Sequence, residues 1–330
     1  MKRLVGIFTT LVLTLGLVGC GSDDGSSDSS VTEIGVIQLA EHPALDKAYE
    51  GFVAGLEAEG LKEGTDFTID FKIAQGDRSN CQTIADKFVN NDVDLIYAIA
   101  TAAAQAAATK TSDIPIVISS VTDPASSKLV ENNDKPGTNV TGASDLTPIK
   151  EQIDLLKQLL PDTKKVAVMY CGSEDNSIFQ ADIAKEEIEA AGMEYLDKPV
   201  SDSSTIRQAA EPLVGKVDAI YIPTDNLLAE YMTTVSSVAN ENNLPCIVGE
   251  EGMVSNGGLA TYGIDYYNLG LLAGKQAAQI IKGEKEPANM PIEYLSAEEC
   301  TLAINKDVAD KLGITIPQEI LDKATIVGEE

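Results

Sequence analysis

The chain contains the same short pattern twice, 124 residues apart, and this repeat limits the folds that it can adopt. Val93-Asp94-Leu95-Ile96-Tyr97 and Val217-Asp218-Ala219-Ile220-Tyr221 agree at four of five positions. At the same offset, Ser79 corresponds to Ser203. An ordered series of matches at one offset is typical of two equivalent structural units.

Each unit alternates short apolar runs with segments whose apolar residues recur at helical spacing. Residues 95–100 form one such run, and Leu45, Phe52 and Leu56 belong to one helical stripe. Continuous apolar strands are expected in parallel sheets that are covered on both faces. We therefore predict an α/β fold of two Rossmann-like lobes, each a doubly wound parallel sheet, with a ligand-binding cleft between them.

The last 70 residues do not continue the repeat. We predict that the chain crosses back to the first lobe and then returns to the second, which gives a three-stranded hinge that allows closure around a ligand. The crossings are expected near Ser144, within 252–259 and within 287–294. The predicted lobes are 33–144 plus 259–290 for lobe 1, and 145–258 plus 291–330 for lobe 2.

The N-terminus is typical of a secretory signal peptide. Lys2 and Arg3 precede an apolar segment, 4–18, that is shorter than the roughly 20 residues of a membrane-spanning helix. Leu17-Val18-Gly19-Cys20 resembles a bacterial lipobox, which implies removal of 1–19 and a lipid on the thiol of Cys20. Residues 20–32 are then the lipidated cysteine and a disordered tether, because 21–30 contain no apolar residue. The predicted location is the extracytoplasmic face of the cell membrane, with attachment through the lipid alone.

Charge and cysteine spacing exclude several classes of protein. The formal net charge is −28 and becomes −30 without 1–19, which argues against a nucleic-acid binder. Cys81, Cys171, Cys246 and Cys300 are far apart and lack the spacing of metal ligands, so no metal or cofactor is predicted. Buried free thiols are favoured, and one disulfide remains an alternative in an exported protein.

Two residues at equivalent positions of the repeat suggest how a ligand is held. Thr101 follows the strand at 95–100 and opens an alanine-rich helix, whose free N–H groups and dipole favour an anion. Its counterpart 124 residues later is Asp225. The pair suits a zwitterion, with its carboxylate near Thr101 and its ammonium near Asp225. The alternative is that both residues are ordinary helix N-caps.

Further polar residues follow predicted strands, where ligands of open α/β sheets bind. The candidates are Thr122, Asp123, Ser173, Glu174, Asn176, Ser177, Asn226 and Glu250. The alternative role for each is capping or turn formation. His42, the only histidine, lies before Pro43 at the predicted cleft rim. Because no Gly-x-Ser-x-Gly motif accompanies it, we predict a wall residue and not a catalyst, and a protein that is not an enzyme.

Six runs resemble, in the same order, those of the ABC-transporter substrate-binding proteins that include the tryptophan- and phenylalanine-binding lipoproteins. They are Glu41-His42-Pro43-Ala44-Leu45-Asp46, Gly76-Asp77-Arg78-Ser79-Asn80, Val121-Thr122-Asp123-Pro124, Asn139-Val140-Thr141-Gly142, Pro223-Thr224-Asp225-Asn226 and Tyr262-Gly263-Ile264-Asp265-Tyr266. Cys81 and Cys171 depart from the leucine and asparagine expected from this resemblance.

The resemblance covers about 33–325 and implies a type I periplasmic-binding-protein fold without catalysis. It also implies an amino-acid ligand, an aromatic one such as tryptophan or phenylalanine, and ABC permease and ATPase subunits as partners. We therefore predict a monomeric solute-binding lipoprotein of an ABC importer. The alternatives are a ligand-sensing surface receptor, a binding protein for another small solute such as a nucleoside or sugar, and an anchored hydrolase.

Overall fold

The structure is a computed structural model, which describes residues 31–296 and 299–328. The predicted signal peptide (1–19), Cys20 and residues 21–30 of the predicted tether lie outside the described residues. Within the described ranges, no helix combines the length and apolar character needed to cross a membrane.

Lobe 1 is a parallel sheet flanked by helices. Its strands are β1 (Thr32–Gln38), β2 (Phe67–Ile73), β3 (Leu95–Ile99), β4 (Ile116–Val121), β5 (Val140–Ser144) and, much later in the chain, β11 (Glu293–Tyr294). Its helices are α1 (Pro43–Ala58), α2 (Arg78–Asn90), α3 (Thr101–Lys110) and α10 (Tyr266–Ile281). The strand order is β11-β5-β4-β3-β1-β2, and all neighbours run parallel.

Lobe 2 is also a sheet flanked by helices, and it differs from lobe 1 at one edge, where its last two strands stand in place of β11. Its strands are β6 (Lys165–Cys171), β7 (Glu194–Val200), β8 (Ala219–Ile222), β9 (Cys246–Val248), β10 (Ala260–Gly263), β12 (Thr301–Asn305) and β13 (Thr325–Val327). Its helices are α4 (Ile149–Leu159), α5 (Asp175–Ala190), α6 (Ile206–Ala210), α7 (Asn226–Glu230), α8 (Met232–Glu241), α9 (Glu251–Ser255), α11 (Lys306–Leu312) and α12 (Gln318–Leu321). The order is β13-β12-β10-β9-β8-β6-β7, with β12 antiparallel to β10.

The first five strands of each lobe are arranged identically, which confirms the predicted fold of two doubly wound sheets. The shared order is β2-β1-β3-β4-β5 in lobe 1 and β7-β6-β8-β9-β10 in lobe 2. The repeated aspartates have one role in both lobes: Asp94 accepts a hydrogen bond from the amide of Glu33, and Asp218 accepts one from the amide of Lys165. Each aspartate thereby fixes the start of the neighbouring strand, and both tyrosines of the pattern are fully buried.

The central strands of lobe 2, β6, β8 and β9, bury both faces, as their continuous apolar runs predict. Along β6, Val166 and Val168 belong to one hydrophobic cluster, whereas Ala167 and Met169 belong to another on the opposite face. This alternation arises because successive side chains of a strand point to opposite faces of the sheet. The helices therefore cover apolar surface on both sides, and the polar strand ends are left to form the cleft.

Helices α1 and α10 of lobe 1 are in direct backbone contact. Gly51 and Gly55 of α1 face Gly270 and Gly274 of α10, where added Cβ atoms would lie 2.0–2.6 Å from backbone oxygens of the facing helix. Only glycine permits this approach. The contact attaches α10, which follows lobe 2 in the chain, to the core of lobe 1.

The chain crosses between the lobes three times, between β5 and α4, between β10 and α10, and between β11 and β12. The first crossing lies next to Ser144. The other two predicted boundaries, 258/259 and 290/291, are wrong by a few residues. β10 still pairs with β9 and β12 of lobe 2, and Glu293 of β11 still pairs with Ala143 of lobe 1. Such short strands carry no local signal of the sheet that they join.

Candidate ligand-binding site

A cavity of about 330 Å³, which we call the outer cavity, lies between the lobes. It is lined by the loops that follow β1, β2 and β3 of lobe 1 and β6, β7 and β8 of lobe 2, all at the carboxyl ends of the strands. The candidates that line it are Thr101, Ser173, Glu174, Asn176 and Asn226. This is where parallel α/β sheets generally bind ligands.

The N-terminus of α3 presents free hydrogen-bond donors to the outer cavity. The first helical bond runs from the amide of Ala104 to the carbonyl of Ala100, at 3.1 Å. The amides of Thr101, Ala102 and Ala103 have no partner among the described residues, and neither has the buried hydroxyl of Thr101. The N-cap is Ala100, so the alternative of Thr101 as an ordinary cap does not apply. These donors and the helix dipole suit an anionic group.

Three strained backbone positions mark the strand ends of lobe 1 at the cleft. Gln75, Ala100 and Ser120 have φ values of 56°, 82° and 56°, in the region that favours glycine. Gln75 lines the outer cavity, and Ala100 immediately precedes Thr101. Backbone strain of this kind persists where the surrounding structure enforces it and is concentrated at ligand-binding sites.

A second cavity, the inner cavity, adjoins the outer one and has a volume of about 30 Å³. The two cavities share Ala40, Asn176 and Asn226 as walls. Three other candidates, His42, Asp225 and Glu250, line the inner cavity and not the outer one. Thr101 and Asp225, which the sequence pairs as the two ends of a zwitterion site, therefore lie in adjoining cavities.

Asp225 is both a helix cap and a wall of the inner cavity. Its Oδ1 accepts a hydrogen bond from the amide of Leu228 at 2.8 Å, as N-cap of α7, and its Oδ2 accepts one from the amide of Cys171 at 2.5 Å. Burial, together with the nearby carboxylate of Glu174, raises the pKa of Asp225 to about 7. Glu174 itself accepts hydrogen bonds from the side chain of Asn226, at 2.7 Å, and from its amide.

His42 and Glu250 face each other across the inner cavity. Glu250 caps α9 by accepting hydrogen bonds from the amides of Gly252 and Met253, at 2.6 and 2.7 Å, and burial raises its pKa to about 7. His42 Nδ1 accepts a hydrogen bond from the amide of Ala44, so the neutral ring carries its hydrogen on Nε2, 3.7 Å from Glu250 Oε1. Burial lowers the pKa of His42, which keeps the ring neutral near pH 7.

Three candidates line neither cavity. Thr122 instead joins the lobes, since its hydroxyl accepts a hydrogen bond from Gln180 Nε2 at 3.2 Å. Asp123 stabilises a turn within lobe 1 by accepting a hydrogen bond from the amide of Ser126. Ser177 is fully buried beneath the lobe 2 wall. A position after a strand therefore does not by itself place a side chain in the cleft.

Sequence reasoning missed the residues that bridge the mouth of the outer cavity. Arg78 Nη1 donates to the carbonyl oxygen of Ser173 at 2.9 Å, and Gln105 Nε2 donates to Asp175 Oδ2 at 2.8 Å. Arg78 also donates to Gln105 Oε1 at 2.8 Å, so the two lobe 1 residues act as one unit, the cross-cleft bridge. The available signal was the position of Arg78 shortly after β2, at the same edge of the sheet as Thr101.

The four cysteines among the described residues are all free, which agrees with the favoured sequence interpretation. Cys81, Cys171 and Cys246 are buried, and Cys300 is partly exposed. Cys171 lines the outer cavity, and burial raises the pKa of its thiol. Within the described ranges, no cluster of histidine, cysteine or carboxylate side chains could hold a metal ion.

Comparisons of sequence match the chain to proteins that bind substrates. A family model described as ABC transporter substrate binding protein matches residues 33–327. A tyrosine-binding protein from Clostridioides difficile (strain R20291) is 43% identical over 321 residues, which cover 94% of this chain and 92% of the relative.

Comparisons of structure indicate which arrangement of the lobes is present. An ABC domain from Streptococcus pneumoniae in complex with L-Trp has 39% identity and a TM-score of 0.86, and covers 90% of this chain and 100% of its own. The ligand-free, open form of a substrate-binding protein with adhesive properties from Clostridium difficile has 41% identity, a TM-score of 0.72 and coverages of 91% and 100%. At similar identity, this chain thus resembles the complex more than the open form, as its bridged cleft suggests.

Proposed function

Because this chain belongs to the family of ABC transporter substrate-binding proteins, we propose that it binds an aromatic L-amino acid between its lobes and delivers it to a membrane permease. The observation that carries the proposal is the outer cavity, about 330 Å³ in volume, with the free N-terminus of α3 as one wall. Pockets for small molecules span about 300–1,000 Å³. The tyrosine-binding relative and the L-Trp complex support tyrosine, tryptophan or a close analogue such as phenylalanine as the proposed ligand.

The α-carboxylate of the ligand is proposed to bind the N-terminus of α3. Thr101 supplies a hydroxyl and an amide, and Ala102 and Ala103 supply further amides, all without partners among the described residues. A carboxylate would satisfy these donors and interact favourably with the helix dipole. The ammonium is then directed toward Asp225 on the lobe 2 side.

The aromatic side chain is proposed to occupy the apolar part of the outer cavity. Leu39 from lobe 1 and Leu227 and Tyr231 from lobe 2 line this cavity from opposite sides. Aromatic rings gain most from such flat, apolar walls, and Tyr231 adds the option of ring–ring contact. The same cavity is also lined by polar side chains such as Arg78, Gln105 and Asn226, which can pair with the hydroxyl of tyrosine or the indole N–H of tryptophan.

A ligand screen tests the proposed function. Thermal unfolding of refolded protein is measured with each common amino acid and with representative nucleosides and sugars, because a ligand that binds only the native state raises the melting temperature. The chain contains no tryptophan, so indole fluorescence reports bound L-tryptophan directly. We expect the aromatic amino acids to give the largest shifts. A shift by a nucleoside or sugar and by no amino acid would contradict the proposal.

The cross-cleft bridge is expected to slow ligand release. Arg78→Ala removes a charge-assisted hydrogen bond that exists only while the lobes are closed, so dissociation of L-tyrosine should be about tenfold faster. Association should change little, because the bridge forms after the ligand enters. Stopped-flow measurement of both rate constants tests this. Arg207→Ala, at an exposed site on α6, is the control, and equal dissociation from both variants would contradict the role of Arg78.

We also propose that lipidation of Cys20 keeps the protein on the extracytoplasmic face of the membrane, near its permease and ATPase. The support is the sequence around Cys20, which lies outside the described residues, and the family assignment. Cys20→Ser is expected to abolish incorporation of labelled fatty acid into the protein, which the native chain should show. Equal incorporation of the label into the variant and the native chain would rule out lipidation at this residue.

A further inference from the structure

A buried hydrogen bond joins the two lobes beside the first crossing. Gln180 of α5, in lobe 2, donates from Nε2 to Oγ1 of Thr122, which follows β4 in lobe 1, at 3.2 Å. Gln180 is fully buried and Thr122 is 2% exposed. Ser144 Oγ donates to the carbonyl oxygen of Thr122 at 2.6 Å, so the bond lies at the base of the cleft, where the chain leaves β5. It is therefore a different contact from the exposed cross-cleft bridge at the mouth of the outer cavity.

Lobe 2 fixes the orientation of the Gln180 amide by its own hydrogen bonds. The carbonyl oxygen of Thr224 accepts a hydrogen bond from Nε2 at 2.9 Å, and the hydroxyl of Thr224 donates to Oε1 at 2.7 Å. Because a carbonyl oxygen can only accept, the NH₂ group of Gln180 must lie on that side. One of its two hydrogens is used within lobe 2, and the other is directed toward Thr122. The amide is thus already oriented to donate to lobe 1.

The same amide supports the walls of both cavities from behind. Asn176, one turn earlier in α5, lines the outer and the inner cavity, and its carbonyl oxygen lies 3.3 Å from Gln180 Nε2. Thr224 lines the inner cavity and directly precedes Asp225, which also lines it. Gln180 and Thr122 line neither cavity. A ligand that moves the lobe 2 wall therefore acts on Gln180 without contacting it.

Thr122 connects this bond to two of the crossings. Asp145, in the first crossing, accepts a hydrogen bond from the hydroxyl of Tyr266 at 3.2 Å, and Tyr266 begins α10 just after the second crossing. Burial raises the pKa of Asp145 to about 6, and the hydroxyls of Thr122 and Tyr266 partly offset this by stabilising the carboxylate. Polar groups of both lobes and of two crossings thus form one buried network. Such a network favours a single arrangement, because its members lose partners when the arrangement changes.

We infer that Gln180 is a positioning residue that couples ligand capture to lobe closure, and that its bond to Thr122 is a latch at the base of the cleft. Donor and acceptor belong to different lobes, so the bond holds only while the lobe 2 wall stays in register with the end of β4. Burial protects it from competition by water. The inference rests on the proposed function, since the ligand is what brings the walls together. It adds a second, buried contact that retains the ligand.

The test removes the lobe 1 half of the latch. Thr122→Val deletes the acceptor, nearly preserves the shape of the side chain and leaves the bonds between Gln180 and Thr224 intact. We expect L-tyrosine and L-tryptophan each to dissociate about tenfold faster from this variant in stopped-flow measurements. The factor should be equal for the two ligands, because Thr122 lines neither cavity. Thr122→Ser keeps the hydroxyl and should stay within about twofold of the native chain.

Two further variants separate the latch from a role in stability alone. Thr138→Val removes a hydroxyl that donates to the carbonyl oxygen of Leu129 at 3.0 Å within lobe 1, so it should lower the melting temperature and leave dissociation within about twofold. Gln180→Met removes the donor of the latch. Adding Thr122→Val to Gln180→Met should then change dissociation by less than about twofold, because the bond is already lost. The melting temperatures of the unliganded variants check that each one folds.

The outcomes separate the latch from the proposed function. If Thr122→Val releases both ligands at the native rate, the latch is overturned while amino-acid binding stands. Unequal factors for L-tyrosine and L-tryptophan would also overturn it, because they would identify Thr122 as a ligand contact. A full effect of Thr122→Val in the presence of Gln180→Met would exclude Gln180 as its partner. Failure of the native chain to bind either amino acid would overturn the proposed function, and the latch with it.

Discussion

Replacing Gly270 by alanine is expected to lower the free energy of unfolding by about 3 kcal/mol or more, the upper range for overpacked sites. An ideal Cβ at Gly270 would lie 2.0 Å from the carbonyl oxygen of Ala48 and 2.9 Å from the amide nitrogen of Phe52. Both atoms belong to the backbone of α1, so no side chain can rotate away. The helices must separate, and α10 then loses its contacts with α1 and with the sheet of lobe 1.

Thermal unfolding followed by circular dichroism measures this effect, and we expect a fall in melting temperature of roughly 5–10 °C. Gly263→Ala is the matched control, because the nearest heavy atom to a Cβ there is at 3.5 Å, an ordinary contact distance. The control should change stability by less than about 1 kcal/mol. If the two variants unfold at the same temperature, the backbone contact between α1 and α10 is not a constraint on the fold.

The repeat made most of the fold predictable because its residues have identical physical roles in both lobes. Asp94 and Asp218 each hold the start of the neighbouring strand, and the tyrosines that follow fill the two cores. Those roles depend on the strand order, so their recurrence predicted two sheets with one topology. The glycines of the contact between α1 and α10 were not recognised, because the two halves of that contact are more than 200 residues apart in the chain.

The interlobe boundaries were less predictable because they depend on the pairing of very short strands. β10 consists of four residues and β11 of two, and both resemble the loops around them in composition. The sheet that each joins is decided by backbone hydrogen bonds to distant partners such as Leu302 and Ala143. No pattern within the short strands themselves contains that information.

Strand ends indicated the region of the cleft but not which side chains face it. Thr101 and Glu174 line the outer cavity, whereas Thr122 is used in a contact between the lobes. Asp145, which also lines the inner cavity, was missed because it follows β5 at a crossing between the lobes and enters the cavity only when the lobes meet. Selection among strand-end residues thus requires the closed arrangement, which sequence does not provide.

The unliganded protein is expected to lose stability as the pH rises from 5 to 8, in contrast to proteins whose buried carboxylates are paired. The folded-state pKa values of Asp145, Asp225 and Glu250 are raised by burial to about 6, 7 and 7. Between about pH 4 and 7 the native chain therefore holds protons that the unfolded chain has released. Stability that is present at acidic pH is lost as the pH rises through these values.

The free energy of unfolding falls by about 1.4 kcal/mol per pH unit for each proton that the folded chain retains and the unfolded chain has released. His42 acts in the opposite direction, because burial lowers its pKa and the unfolded chain then binds a proton first below about pH 6.5. His42 is one group and the carboxyls are three, so the free energy of unfolding should still fall as the pH rises from 5 to 7. Opening of the cleft exposes the ionised carboxylates to water, so the total fall in the free energy of unfolding is limited to a few kcal/mol. Denaturant unfolding at several pH values measures the slope.

The same three carboxyls predict how a bound amino acid changes this slope. If the ammonium occupies the inner cavity, it stabilises the ionised carboxylates and lowers their pKa values, so the complex should be nearly insensitive to pH in this range. The stabilisation by L-tyrosine should therefore be larger at pH 8 than at pH 5. Glu250→Gln should flatten the slope of the unliganded protein, and Glu251→Gln should not. A native chain that gains stability between pH 5 and 8 without ligand would show that these carboxyls are already ionised in the folded state, and the inner cavity would then not require a cation.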